Sequence, residues 1–223
     1  RNMGNPLIGP AISSHPNYNY SLNNTQKKSF TKFCQTLFPI TPIGVNKDAS
    51  KIDYLFVAAE RYRRCLLSNQ IYDEKIASAV MGFEALLLTG DEKAELNYRL
   101  KLRSTKLASL ANYDSTEMFE ILGEAYKFRS TFVHGGISSD KDIKNFKISG
   151  KHVTMERFSY FLVNLLRKFV IIFALGKIEK KSFIKLIDQS FIRDEANSEI
   201  LRMLKAIDFR LFNHGPFNIT HGA

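Results

Sequence analysis

The chain has 223 residues, 44% hydrophobic and 24% charged, an ordinary globular balance that excludes collagen-like, low-complexity and wholly disordered readings. At this length roughly 70% of the unfolded surface can be buried, so a core forms without disulfides. The 32 basic against 22 acidic residues leave a net charge of +10, which favours a polyanionic partner such as nucleic acid or an anionic surface.

Residues 1–24 are rich in Asn, Pro, Ser and Gly, residues that favour turns and extended chain. They read as a linker or arm, and because the chain starts at Arg1 the expectation is that an upstream domain precedes it. Helical periodicity then predicts helices over 26–38, 50–68, 71–89, 92–111, 115–134, 154–176, 180–192 and 194–207, all in one helical domain spanning 25–210. Between the fifth and sixth, residues 135–142 read as a loop. Residues 145–153 alternate partly around Ser149-Gly150, which fits a short hairpin or extended connection. Thr154 reads as the N-cap of the helix that follows, with Glu156 in its first turn. Residues 211–223 read as an irregular tail.

Cys34 and Cys65 stand alone, with no CxxC pair. Both read as small buried residues in a reducing cytoplasm. The most apolar stretch, Phe161–Leu175, is interrupted by Asn164, Arg167 and Lys168 and reads as a core helix, with no membrane span. The histidines His15, His134, His152, His214 and His221 are scattered, so no metal site is expected. No nucleotide-binding glycine loop or nucleophile elbow is present, and no cofactor is expected.

Polar residues break the helical faces at three places. In 115–134, Met118, Ile121, Leu122, Ala125, Phe132 and Val133 form a stripe with Arg129 at its centre. In 92–111, Arg103 fills the gap in the stripe Leu96, Leu100, Leu107 and Leu110. In 71–89, Glu84 lies about 80° from Ile76 on the flank of the stripe Ile76, Val80, Phe83 and Leu87. An unpaired buried charge is very costly, so these residues either form a Glu–Arg network, Glu84 pairing with Arg103 or Arg129, or face a cleft. His134 follows Arg129 by five residues and precedes Gly135-Gly136. The glycines end the helix. His134 then lies in the last turn, where the dipole favours a protonated imidazole. On an ideal helix the two side chains stand about 7.5 Å apart along the axis and about 140° apart around it, yet both can reach one phosphate. The guanidinium suits bidentate phosphate binding and the imidazole suits proton transfer. A plain helix-capping role for His134 is the other reading. Arg61, Arg63 and Arg64 form either an RNA-facing edge or a solvated face.

Arg129-Ser130-Thr131-Phe132-Val133-His134 resembles the R-x(4–6)-H motif of HEPN domains. Phe83-Glu84-Ala85-Leu86-Leu87-Leu88, the run Glu95-Leu96-Asn97-Tyr98-Arg99-Leu100 with Arg103, and Tyr126-Lys127-Phe128-Arg129-Ser130 leading to His134-Gly135-Gly136 resemble more specifically the ApeA-like HEPN group of prokaryotic defence proteins. The resemblance covers roughly residues 50–177. It implies an all-α bundle and a metal-independent endoribonuclease of a cytoplasmic antiviral or toxin-like protein. The implied partners are RNA, tRNA among the candidates, and a second copy of the chain. It implies Arg129 on the scissile phosphate and His134 as acid/base, with Ser130, Glu84, Arg103 and Arg99 in support. Ser130 stands where family members often carry Asn, Asp or His; its hydroxyl can still hydrogen-bond. A catalytically silent dimerisation or RNA-binding module is the alternative, and a helical protein–protein adaptor is a third.

Overall fold

A computed structural model describes residues 23–37, 53–67, 72–136, 139, 146–176 and 178–207. Residues 1–22 of the predicted arm, the predicted tail, most of the predicted loop 135–142, and His15, His214 and His221 lie outside the described residues; Asn24, read as the end of the arm, opens α1. The fold is all-α. Eight helices are described: α1 (Asn24–Leu37), α2 (Tyr54–Leu67), α3 (Tyr72–Leu87), α4 (Leu96–Leu110), α5 (Ser115–Val133), α6 (Met155–Leu175), α7 (Lys180–Gln189) and α8 (Asp194–Ala206). One hairpin, β1 (Lys147–Ile148) and β2 (Lys151–His152), turns at Ser149-Gly150 with Lys147 opposite His152.

Local chemistry sets the helix ends. The Asp114 carboxylate accepts from the Glu117 N–H at the start of α5 (2.8 Å), and the Thr154 hydroxyl, the predicted cap, accepts from Arg157 N–H at the start of α6 (3.2 Å). Glu179 caps α7 by accepting from the Lys181 and Ser182 N–H groups. At the end of α5, Gly136 N–H donates to Thr131 O and Gly135 N–H to Phe132 O. Gly135 adopts φ +81°. These two bonds form the Schellman closure that the Gly135-Gly136 pair predicts. The fourth helix is shorter than expected. It begins at Leu96 instead of 92, because Glu92 turns back to accept from the Thr89 N–H (2.8 Å) and Glu95 is left-handed at φ +55°.

α3 and α6 are the central helices. α3 packs against α2, α4, α5 and α6, and α6 also packs against α2. Phe83 of α3 meets Phe169 of α6 edge-on at 5.5 Å. The two helices approach closely at Gly82, where an added Cβ would stand 2.6 Å from Leu166 Cδ2. By length and composition alone α6 is the one helix among the described residues long and apolar enough to cross a membrane. In the fold, 61% of its apolar window is buried. The hairpin lies along α5: Phe146 packs on Phe128 and Phe158, and Glu120 accepts from the Ser149 N–H and hydroxyl. None of the described side chains of α1 enters the core, although the sequence places that helix inside the domain.

Cys65 is buried, and its thiol faces Lys75 O at 3.4 Å. Burial pushes that thiol up to about 12, so it is an inert packing group. The Cys34 side chain lies outside the described atoms.

Candidate functional site

The six residues singled out by the sequence separate into two clusters. Arg103 and Arg99 meet on Glu92, and Arg129 meets Glu84; Ser130 and His134 share only the end of α5 with Arg129.

Arg103 fills the gap in the α4 stripe and is 3% exposed. The Arg103–Glu84 pairing that the sequence allows does not form. Its Nε and Nη2 hold both oxygens of Asp188 on α7 (2.7 Å each), its Nη1 and Nη2 hold both oxygens of Glu92 (3.0 and 2.6 Å), and Nη1 also donates to Leu87 O (2.8 Å). All five N–H donors are engaged. Arg99 is exposed and adds a bond to Glu92 at 3.1 Å. Burial pushes the Glu92 carboxyl up, but the hydrogen bonds from Arg103 and Thr89, with the Arg103 charge, outweigh it and bring it to about 2. Nearby, Lys180 donates to Ala85 O and lies over the Tyr54 ring. Two cations thus sit on the last carbonyls of α3, where the helix dipole is negative. An open cavity of about 230 Å³ lies beside Arg103, lined in part by Tyr98, Arg99, Asp188 and Phe191. With its donors saturated, Arg103 locks α3, α4 and α7 together and has none left for a ligand.

Arg129 is differently placed. The stripe of α5 is buried only through Ala125, and Val133 is 46% exposed. Arg129 therefore stands at the end of the buried stripe, not in its middle, and its side chain is 25% exposed. Its Nη2 donates to Glu84 Oε2 at 3.1 Å, its guanidinium lies 5.7 Å from the Tyr126 ring, and its Nε is buried with no hydrogen-bond partner. Glu84 belongs to the partly exposed strip of α3 formed by Met81, Glu84 and Ala85. Burial pushes its carboxyl above the ordinary value, and the Arg129 and Arg61 charges pull it back only in part. Arg61 belongs to α2 and, among the described residues, forms no ion pair with Glu84; Arg129 is the cation in contact with it.

Ser130 is half-buried in the last turn of α5. His134 is the C-cap, exposed, its backbone N–H donating to Ser130 O. Among the described residues no side-chain hydrogen bond orients its ring. Arg63 and Arg64 are exposed and both pair with Glu60. Among the described residues no group of three His, Cys, Asp or Glu side chains is placed to hold a metal ion.

Glu92 and Asp188 escaped the sequence reading. The turn signal Thr89-Gly90-Asp91 marks Glu92 as outside the helix; nothing in the pattern of α7 marks Asp188. Comparison with protein-family models, curated proteins and solved structures finds no match for the chain.

Proposed function

We propose that the chain is a metal-independent endoribonuclease of the HEPN type, acting with Arg129 and His134. The observation that carries this reading is Arg129 itself. It is a partly exposed guanidinium with one bond to a carboxylate and a buried, unpartnered Nε, five residues before an exposed histidine that closes the same helix.

Cleaving RNA without metal requires deprotonating the ribose 2′-OH, stabilising a dianionic phosphorane and protonating the leaving 5′ oxygen. Arg129 supplies charge stabilisation at the phosphate. His134 transfers one proton, and His134 of a second copy supplies the complementary transfer in a symmetric dimer. The +10 charge holds the RNA backbone. The 2′ oxygen bonds to phosphorus as the P–O5′ bond breaks, so the products are a 2′,3′-cyclic phosphate and a 5′-hydroxyl.

The unoriented His134 ring, together with Ser130 after the arginine, favours the second reading, a silent HEPN module for dimerisation or RNA binding. The two readings separate on product chemistry. The nuclease yields 2′,3′-cyclic phosphate ends, and Arg129→Ala lowers the cleavage rate by about 10²-fold or more, the scale of losing one transition-state donor. RNA that is bound by the purified chain but never cut leaves the silent module in place.

A further inference from the structure

His134 ends a strip along the outward face of α5. On an ideal helix Glu120, Gly123, Lys127 and His134 fall within about 60° of one another, opposite the buried Met118 and Ala125. Two walls flank the strip. On one side the Lys101 ammonium of α4 lies 4.5 Å over the Phe119 ring, and its Cδ would stand 3.6 Å from a Cβ on Gly123. On the other side stands the hairpin. Its Ser149 N–H and hydroxyl donate to Glu120 at 2.9–3.0 Å, and its base packs on Phe128 through Phe146. Phe119 and Phe128, nine residues apart, point about 180° from each other on an ideal helix, so the walls are on opposite flanks.

Both walls are basic and without counterions. Lys101 and the exposed Lys147, Lys151 and His152 form no ion pair among the described residues. Lys147 stands opposite His152 across the ladder, and residues 146–153 contain no acid. Between 120 and 134 the only acids are Glu120 and Glu124; Ser149 engages the first, and Lys127 the second at 2.6 Å. The floor is Gly123, about 16.5 Å before His134 along the axis. Glycine weakens a helix interior. Packing does not demand it here, because the contact a Cβ would make with Lys101 is an ordinary one. A glycine in line with His134, between two basic walls, fits the close approach of another backbone.

We propose that this strip is the track of the substrate strand: a single-stranded RNA backbone runs over Gly123, between Lys101 and the hairpin lysines, and reaches His134 at its end. The inference rests on the nuclease reading and adds the path of the strand. Lys101, Lys147 and Lys151 each take a phosphate, as in grooves that follow a single strand by its backbone. Charge selects the occupant, since a second copy seated here would bring the same unpaired cations against these.

The test is a binding titration with the full chain carrying His134→Ala, in EDTA, against a short fluorescein-labelled single-stranded RNA over a range of salt. Lys101→Ala and the double variant Lys147→Ala with Lys151→Ala are each expected to weaken binding and to lower the slope of log K against log salt by about 0.7 per lysine, the value for one phosphate contact on a single strand. Lys185→Ala, which removes an exposed lysine of α7, changes neither quantity. Gly123→Leu fills the floor with a better helix former, so it weakens binding about tenfold or more with no loss of melting temperature. If the His134→Ala chain binds RNA but the track lysines behave like Lys185, or Gly123→Leu binds undiminished, the track is wrong and the nuclease reading stands. If Gly123→Leu loses its dimer by light scattering along with RNA binding, the face belongs to a second copy and the track is again overturned. If the His134→Ala chain binds no RNA even at low salt, the functional reading itself falls, and the track with it.

Discussion

Arg103 and Arg129 look alike in the sequence, each an arginine set into an apolar stripe, and they do opposite things. Arg103 has all five donors filled by Asp188, Glu92 and Leu87 O, so its loss is a stability event. Arg103→Leu strips Asp188 of its cation, leaves Glu92 only the exposed Arg99, and is expected to cost about 3–5 kcal/mol, the range for breaking a buried pair. Thermal melting checks this; an unchanged melting temperature shows the network to be idle. Its acid behaviour follows from Glu92. The folded carboxyl stands at about 2 against the ordinary 4.5, so its contribution is present above about 4.5 and drains away as pH falls toward about 2. The parent chain should therefore lose melting temperature over that window more steeply than Glu92→Gln. Parallel curves for the two proteins would refute the linkage. Arg129 has donors to spare, and on the nuclease reading its substitution is expected to register in RNA binding and cleavage before stability.

At the scale of elements, the termini were the most legible feature. Thr154 and Gly135-Gly136 act where their chemistry predicts, because caps and glycine closures depend on residues within one turn. The Schellman closure holds His134 at the helix end, and the two glycines should respond differently. A Cβ on Gly135 meets nothing within 4 Å but faces φ +81°, so Gly135→Ala costs about 1 kcal/mol through backbone strain alone. A Cβ on Gly136 falls 2.7 Å from Thr131 Cγ2 and 3.1 Å from Thr131 O, so Gly136→Ala shifts the last turn and is expected to disturb His134 as well. Gly82→Ala drives into Leu166 where α3 meets α6 and should cost about 1–3 kcal/mol as overpacking. Equal melting temperatures for Gly82→Ala and the parent chain would mean that Leu166 yields freely. The early start read for α4 and the deep stripe read for α5 went wrong for one reason. Periodicity registers apolar spacing but not which turn of a helix reaches the core, and Glu92 and Val133 sit where the elements leave it.

Across the whole molecule, the all-α class and the hairpin insertion were legible because eight amphipathic patterns and one break are properties of neighbouring residues. The partner of Arg103 was not, because Asp188 is 85 residues away and only the packing of α7 on α4 brings it in. Assembly belongs to this scale too. The nuclease reading requires two copies, one His134 from each, so light scattering at tens of micromolar should give twice the chain mass; a strict monomer at that concentration weighs against it. The most direct measurement is RNA cleavage by the parent chain and by His134→Ala, both in excess EDTA, with the cut ends identified. The account predicts cleavage by the parent with 2′,3′-cyclic phosphate ends, and none by His134→Ala at an unchanged melting temperature, because His134 is an exposed cap outside the core. Cleavage by His134→Ala at the parent rate, or cleavage that appears only when a divalent ion is restored, would contradict it.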